Sequence, residues 1–148
     1  MIGITLLVHF HHSRGRGIEV KDLAGALESK RWQRRVAALK IIQQKGIEIG
    51  EFQAYQGIRA SPHIPERYWL ARALGVSRQS KTFKDLLSFL DDPHPNVVSM
   101  AFYALGQRGD RRAVNEIIKR IETSDDWYNQ WYAYKTLRSL GWKQTKSK

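Results

Sequence analysis

Hydrophobic positions return along this chain at helical spacing, in blocks that repeat every 31 or 32 residues. Ala101, Ala104, Leu105 and Gly106 have counterparts 31 residues earlier in Leu70, Ala73, Leu74 and Gly75, while Ala133 and Leu137 stand 32 residues after Ala101 and Leu105. Each block opens with a stretch whose apolar residues fall at i, i+3, i+4 and i+7, the signature of one buried helical face. Val114, Ile117, Ile118 and Ile121 show it in the fourth block, Phe83, Leu86, Leu87 and Leu90 in the third, and Val20, Leu23, Ala24 and Leu27 in the first. The second block is the weak one. Phe52, Tyr55, Gln56 and Arg59 hold those positions between Gly50 and Gly57, which predicts a short or irregular helix.

A second helix is predicted in every block, over Arg31–Lys45, Ile64–Val76, Pro95–Gln107 and Trp127–Leu140. Its buried column reads Ala38, Leu70, Ala101 and Ala133, followed four residues on by Ile42, Leu74, Leu105 and Leu137. Small residues in that column let neighbouring helices approach. Gly46, Gly75, Gly109 and Gly141 punctuate helix ends, and Pro62, Pro65, Pro93 and Pro95 mark helix starts. A single hairpin of this size cannot bury its own apolar face, so the hairpins must stack. The expected fold is all-α, an α-solenoid of about four helix pairs over residues 18–142. Residues 1–17 form an apolar and then basic N-terminal segment, and 143–148 a basic, frayed tail.

Composition narrows the setting. The chain has 148 residues, 42% of them hydrophobic and 26% charged, with only four prolines, which fits one folded domain rather than a linker. It has no cysteine, which removes disulfides, thiolate nucleophiles and sulfur-bound zinc, and fits a reducing, cytoplasmic setting. A formal charge of +11 attracts nucleic acid, anionic lipid or an acidic protein. Met1 to Phe10 is largely apolar and is followed by His11, His12, Arg14 and Arg16. That run is half the length needed to span a bilayer. It reads either as the end of a membrane helix with a basic cytoplasmic flank, placing the protein at an anionic membrane surface, or as an apolar turn packed on the first repeat.

Asp92-Pro93, followed by Val97, Ala101, Ala104-Leu105-Gly106 and Gly109-Asp110, resembles a HEAT repeat of the short bacterial type, a group also found in phycobilin lyase subunits. The resemblance spans about Ile18 to Trp142 and implies a right-handed solenoid that holds another macromolecule in its curved inner face. The family often places a basic residue early in the second helix. Arg35 and Arg67 match that pattern and Val98 and Gln130 do not, so an acid-to-arginine ladder between units is expected in the first half only.

Candidate binding residues follow from helical geometry, because positions opposite the buried column should line the inner wall. One column holds Lys40, Arg72, Tyr103 and Lys135; the other holds Ala37, Trp69, Met100 and Tyr132, with Tyr68 and Trp131 beside it. A row of basic and large aromatic side chains facing water predicts a contact surface for a protein partner. The same combination suits single-stranded nucleic acid, so that alternative stays open. Trp142 near the last helix also leaves room for a homodimer.

Catalytic, cofactor and metal residues are not expected. Asp125 and Asp126 precede the aromatic run Trp127 to Tyr132 and read as helix caps. HEAT-like DNA glycosylases set an Asp among tryptophans, but the chain shares only architecture, charge and residue types with them. His9, His11 and His12 lack a carboxylate partner and fixed helical spacing, and His63 and His94 read as turn residues. The paired His-Glu dipeptides of HEAT-type hydroxylases are absent, and Arg14-Gly15-Arg16-Gly17 does not open a helix as a phosphate loop does. The leading reading is a non-enzymatic scaffold or adaptor; a lyase-like subunit that handles a tetrapyrrole is the remaining alternative.

Overall fold

The computed structural model describes residues 17–145, so the expectations for the N-terminal anchor, His9, His11, His12 and the last residues of the tail lie outside them. Eight α-helices follow in order: α1 (Leu23–Leu27), α2 (Trp32–Lys45), α3 (Tyr55–Ile58), α4 (Ile64–Leu74), α5 (Ser80–Ser88), α6 (Pro95–Arg108), α7 (Ala113–Thr123) and α8 (Trp127–Ser139). No strand occurs among the described residues. The pairs α1/α2, α3/α4, α5/α6 and α7/α8 are the four predicted units, and the second helices start and stop within two residues of the predicted bounds.

Their ends explain that agreement. At α2 and α8 the chain turns through glycine in the left-handed region, Gly46 at φ 64° and Gly141 at φ 88°. The next amide then reaches back to the last full turn, Ile47 N–H to the Ile42 carbonyl and Trp142 N–H to that of Leu137, each at 2.9 Å. This arrangement satisfies carbonyls that the helix itself leaves open. At the other end, each second helix is preceded by a side-chain oxygen that accepts the amide two residues on. Ser29 serves Arg31, Ser61 serves His63, Asp92 serves His94 and Ser124 serves Asp126. Asp126 then caps α8, accepting from the amides of Tyr128 and Asn129.

The core is one continuous cluster. Ala38, Leu70, Ala101 and Ala133, with Ile42, Leu74, Leu105 and Leu137, are all buried, as the periodicity predicts. Consecutive second helices share the most extensive contact, α2 with α4, α4 with α6 and α6 with α8, whereas the shorter first helices make only sparse contact with each other. Gly75 shows how tight the layer is. It stands in right-handed backbone at φ −65°, not in a left-handed turn, and a Cβ there would lie 2.8 Å from that of Ala104. It ends α4, as the sequence predicts, and serves close approach at the same position. Gly106 repeats the position, where a Cβ would meet Ser139 Oγ at 3.0 Å, and the same register in α8 holds Arg138.

First helices depart more from the sequence pattern. Val20 and Ala24 are exposed rather than buried, because Val20–Asp22 forms a 3-10 turn and α1 is only the five residues from Leu23. In the second unit the expected irregular helix is a 3-10 turn over Ile49–Glu51 and a single α-turn, α3. Its buried anchors are Ile49, Tyr55 and Ile58. The Tyr55 hydroxyl donates to Asp85 Oδ2 on α5, and burial together with that carboxylate raises the phenol well above its ordinary value.

Candidate partner-binding surface

Cations fall into two populations. Along the edge where each first helix hands over to the second, arginines are matched to carboxylates. Arg35 binds Glu66 through Nε and Nη2 at 2.7 and 2.6 Å, and Arg67 binds Asp92 through the same atoms at 2.8 and 3.2 Å. Each also donates Nη1 to the carbonyl six residues back, Arg35 to Ser29 and Arg67 to Ser61. Such two-pronged, charge-assisted pairs hold neighbouring units in register. In the fourth unit Gln130 keeps the carbonyl bond, Nε2 to Ser124 O, without the ion pair. Val98, at that register in the third unit, makes neither. The ladder is confined to the first half.

On the face opposite the buried column the cations have no such partners. Lys40 Nζ lies 5.0 Å from the centre of the Trp69 ring and the Arg72 guanidinium carbon 4.9 Å, which brings three of the predicted residues into one cluster on α2 and α4. Neither Lys40 nor Arg72 forms an ion pair among the described residues, and Arg72 Nε is buried with no acceptor. A cation held against an aromatic face in this way keeps its charge available for an incoming anion. Tyr68 packs edge-on against Trp69 at 5.7 Å.

Farther along, Tyr68, Met100, Tyr103 and Tyr132 converge with Asn96, Ser99 and Tyr128 around a groove of about 460 Å³ across α4, α6 and α8. Tyr128 was not among the residues the column argument selects. It sits one turn before Tyr132, packs edge-on against it at 5.0 Å and shares a hydroxyl contact that raises its own phenol above the ordinary value. The i to i+4 relation was the available signal. Lys135 and Trp131 form a third cluster, with Nζ 5.1 Å from the ring centre, but Trp131 also lines a second cavity of about 660 Å³ with Tyr134, Arg138, Trp142, Lys143 and Gln144. Tyr68, packed on Trp69, and Tyr132, packed edge-on against Trp131 at 5.0 Å, link these three groups to one another.

Exposure is also uneven. Lys40, Tyr103, Trp131 and Lys135 are exposed, whereas Tyr68, Trp69, Arg72, Met100 and Tyr132 are half-buried. The apolar ones among these pack on the core cluster, because large side chains on the second helices lean into the seams with their neighbours. His63 stands directly before α4 with its ring stacked on Trp32, centres 4.8 Å apart, rather than capping the helix, and His94 accepts the Asn96 amide. Both are turn residues, as the sequence predicts.

A family model of HEAT repeats matches residues 53–141. The chain belongs to the HEAT repeat family. No curated protein matches it. The match begins inside the second unit, and the Ser29 turn with the Arg35 fork carries the same HEAT register one unit further toward the N-terminus. HEAT repeats generally serve as protein-interaction scaffolds. No helix among the described residues is long and apolar enough to cross a membrane.

Proposed function

We propose that this protein is a non-enzymatic adaptor whose second-helix face binds an acidic segment of a partner protein, anchored at Lys40, Trp69 and Arg72. The observation that carries this reading is the contrast between matched and unmatched cations. Arginines of the ladder edge have carboxylates at hydrogen-bond distance, while Lys40 and Arg72 have only a tryptophan ring. An incoming carboxylate would supply the acceptor that Arg72 Nε lacks. The tyrosine groove beside it offers rigid aromatic area and hydroxyls to flanking residues of the same segment. Lys135 adds a further cation at the far end.

The test is binding of fluorescent acidic peptides, with a single-stranded oligonucleotide as comparison, to the wild type and to a Lys40→Glu, Arg72→Glu double variant. Acidic peptides should bind and the variant should lose them while its melting temperature stays within a few degrees. Oligonucleotide binding that exceeds peptide binding and falls linearly with the logarithm of salt would favour the nucleic-acid alternative. Equal peptide binding by both proteins would sink the proposal.

A further inference from the structure

The break in the ladder leaves a vacancy of defined chemistry. Between the third and fourth units a cavity of about 210 Å³ is lined by Val98 and Phe102 of α6, Asn129 of α8, and Asp91, Asp92 and Arg120 around its polar side. By register Val98 stands where Arg35 and Arg67 stand, and Asn129 stands where Glu66 stands. Between the first and second units Arg35 crosses that gap and fills the acceptor on Glu66. Between the third and fourth units no side chain crosses at that register; the charge pairing there is Arg120 of α7 with Asp91, at the rim of the cavity. Asn129 Nδ2 donates to Asp126 Oδ2 at 3.3 Å, which turns Oδ1 the other way, and Oδ1 is buried with no donor.

A buried acceptor without a donor loses its hydration and regains nothing, so this site favours any group that brings an N–H to Oδ1. The walls specify the rest. Val98, Phe102, Leu90, Ile121 and Ala133 suit an apolar stem, while Asp91 and Asp92 set negative charge at the polar side. Those two carboxylates are engaged by Arg120 and Arg67, yet each oxygen has capacity for a further hydrogen bond. A planar head with several donors on a slim apolar stem meets all three demands. That is an arginine side chain, whose five donors and weak hydration suit a partly buried site better than the strongly hydrated ammonium of lysine.

We propose that this cavity is a receptor for a guanidinium group, filled by an arginine of a partner polypeptide that completes the interrupted ladder in trans. The site is separate from the Lys40 and Arg72 cluster, and a Lys40→Glu, Arg72→Glu variant should bind the guanidinium as the wild type does.

The experiment is a titration of the ¹⁵N,¹³C-labelled full chain with acetyl-arginine-methylamide, followed by NMR at the Asn129 side-chain amide and the Val98 methyl groups. The capped lysine and norleucine analogues and free arginine serve as comparisons. Saturable shifts at both residues are expected with the capped arginine and not with lysine or norleucine; tighter binding of free arginine would assign the site to a small guanidino compound instead of a polypeptide. Val98→Arg should abolish binding, because it supplies the guanidinium in cis. Asn129→Leu, which keeps the shape and removes the acceptor, should weaken binding by about tenfold or more, and this second variant decides the matter if Val98→Arg does not fold. Absence of saturable shifts in the wild type, or wild-type affinity in either folded variant, would overturn the proposal.

Discussion

The first two units and the last two are built on one register but joined by different physics. Where α2 meets α4, Arg35 and the fully buried Glu66 carboxylate form a bidentate pair, and Arg67 joins the second unit to the third through Asp92. Where α6 meets α8, the corresponding positions hold Val98 and Asn129, and the junction relies on apolar packing with Thr136 Oγ1 donating to the Phe102 carbonyl at 3.0 Å. The exposed aromatic area follows the same division, since Trp127, Tyr128, Trp131 and Tyr134 all lie on α8. A buried fork sets the register in the first half, while the ion pair between the last two units, Arg120 with Asp91, lies nearer the surface. The other half is left with free side chains and an open cavity, which are the features a ligand can use.

The sharpest way to break this comparison is to remove one side of each junction. Arg35→Ala strands the Glu66 carboxylate in the interior and should cost about 3 to 5 kcal/mol in denaturant unfolding. Gln130→Ala, which deletes a neutral bond, should cost about 0.5 to 1.5 kcal/mol. Equal losses would mean that the two halves are joined alike.

A next, smaller effect separates the two small-residue contacts. Gly75→Ala forces a Cβ onto Ala104, whose Cα and Cβ cannot give way without moving α6, and should cost about 1 to 3 kcal/mol. Gly106→Ala meets the Ser139 hydroxyl, which can rotate, and gains roughly 1 kcal/mol of helix propensity, so it should be close to neutral. Thermal unfolding of the two variants side by side checks the order.

Acid sensitivity should track the first half as well. Burial opposes ionisation of Glu48, but hydrogen bonds from the Ser77 hydroxyl and the Arg78 and Gly50 amides outweigh it and hold the carboxyl below its ordinary range. A group whose folded pKa is depressed stabilises the fold above its unfolded pKa, and that contribution disappears as pH falls through the folded value. The melting temperature of the wild type should therefore exceed that of Glu48→Gln at neutral pH, with the gap closing as pH drops below the ordinary glutamate range. A gap that is constant with pH would refute this. The smallest change is expected at Trp127, 73% exposed at the start of α8. Trp127→Ala should alter stability by no more than about 0.5 kcal/mol.

Second helices were legible in the sequence because their ends are marked by glycine, proline and capping oxygens, and because one column of residues is buried in every unit. Val20 and Ala24 misled because a 3-10 turn breaks the α-helical spacing on which the pattern depends. Gly75 ends α4 as its place in the sequence predicts, but sequence spacing cannot show that Ala104 also stands against it. At the surface, helical geometry identified Lys40, Trp69 and Arg72, and the structure gathers them. It could not show that Trp69 and Tyr132 lean into seams between units, since that depends on which neighbour lies beside each ring. Nor could it reveal the orphaned Asn129 oxygen. That requires knowing that Glu66 and Asn129 answer to Arg35 and Val98 across a helix-helix junction.

The recess that lets one second helix nest against the next passes from Gly75 to Gly106 and is then filled by the long side chain of Arg138. Anything seated against α8 must accordingly stand farther off than α6 stands from α4, over a hollow that Tyr134, Arg138 and Trp142 line together. The molecule thus offers visitors a broad cationic doorstep at that flank, where its own helices have only a narrow notch.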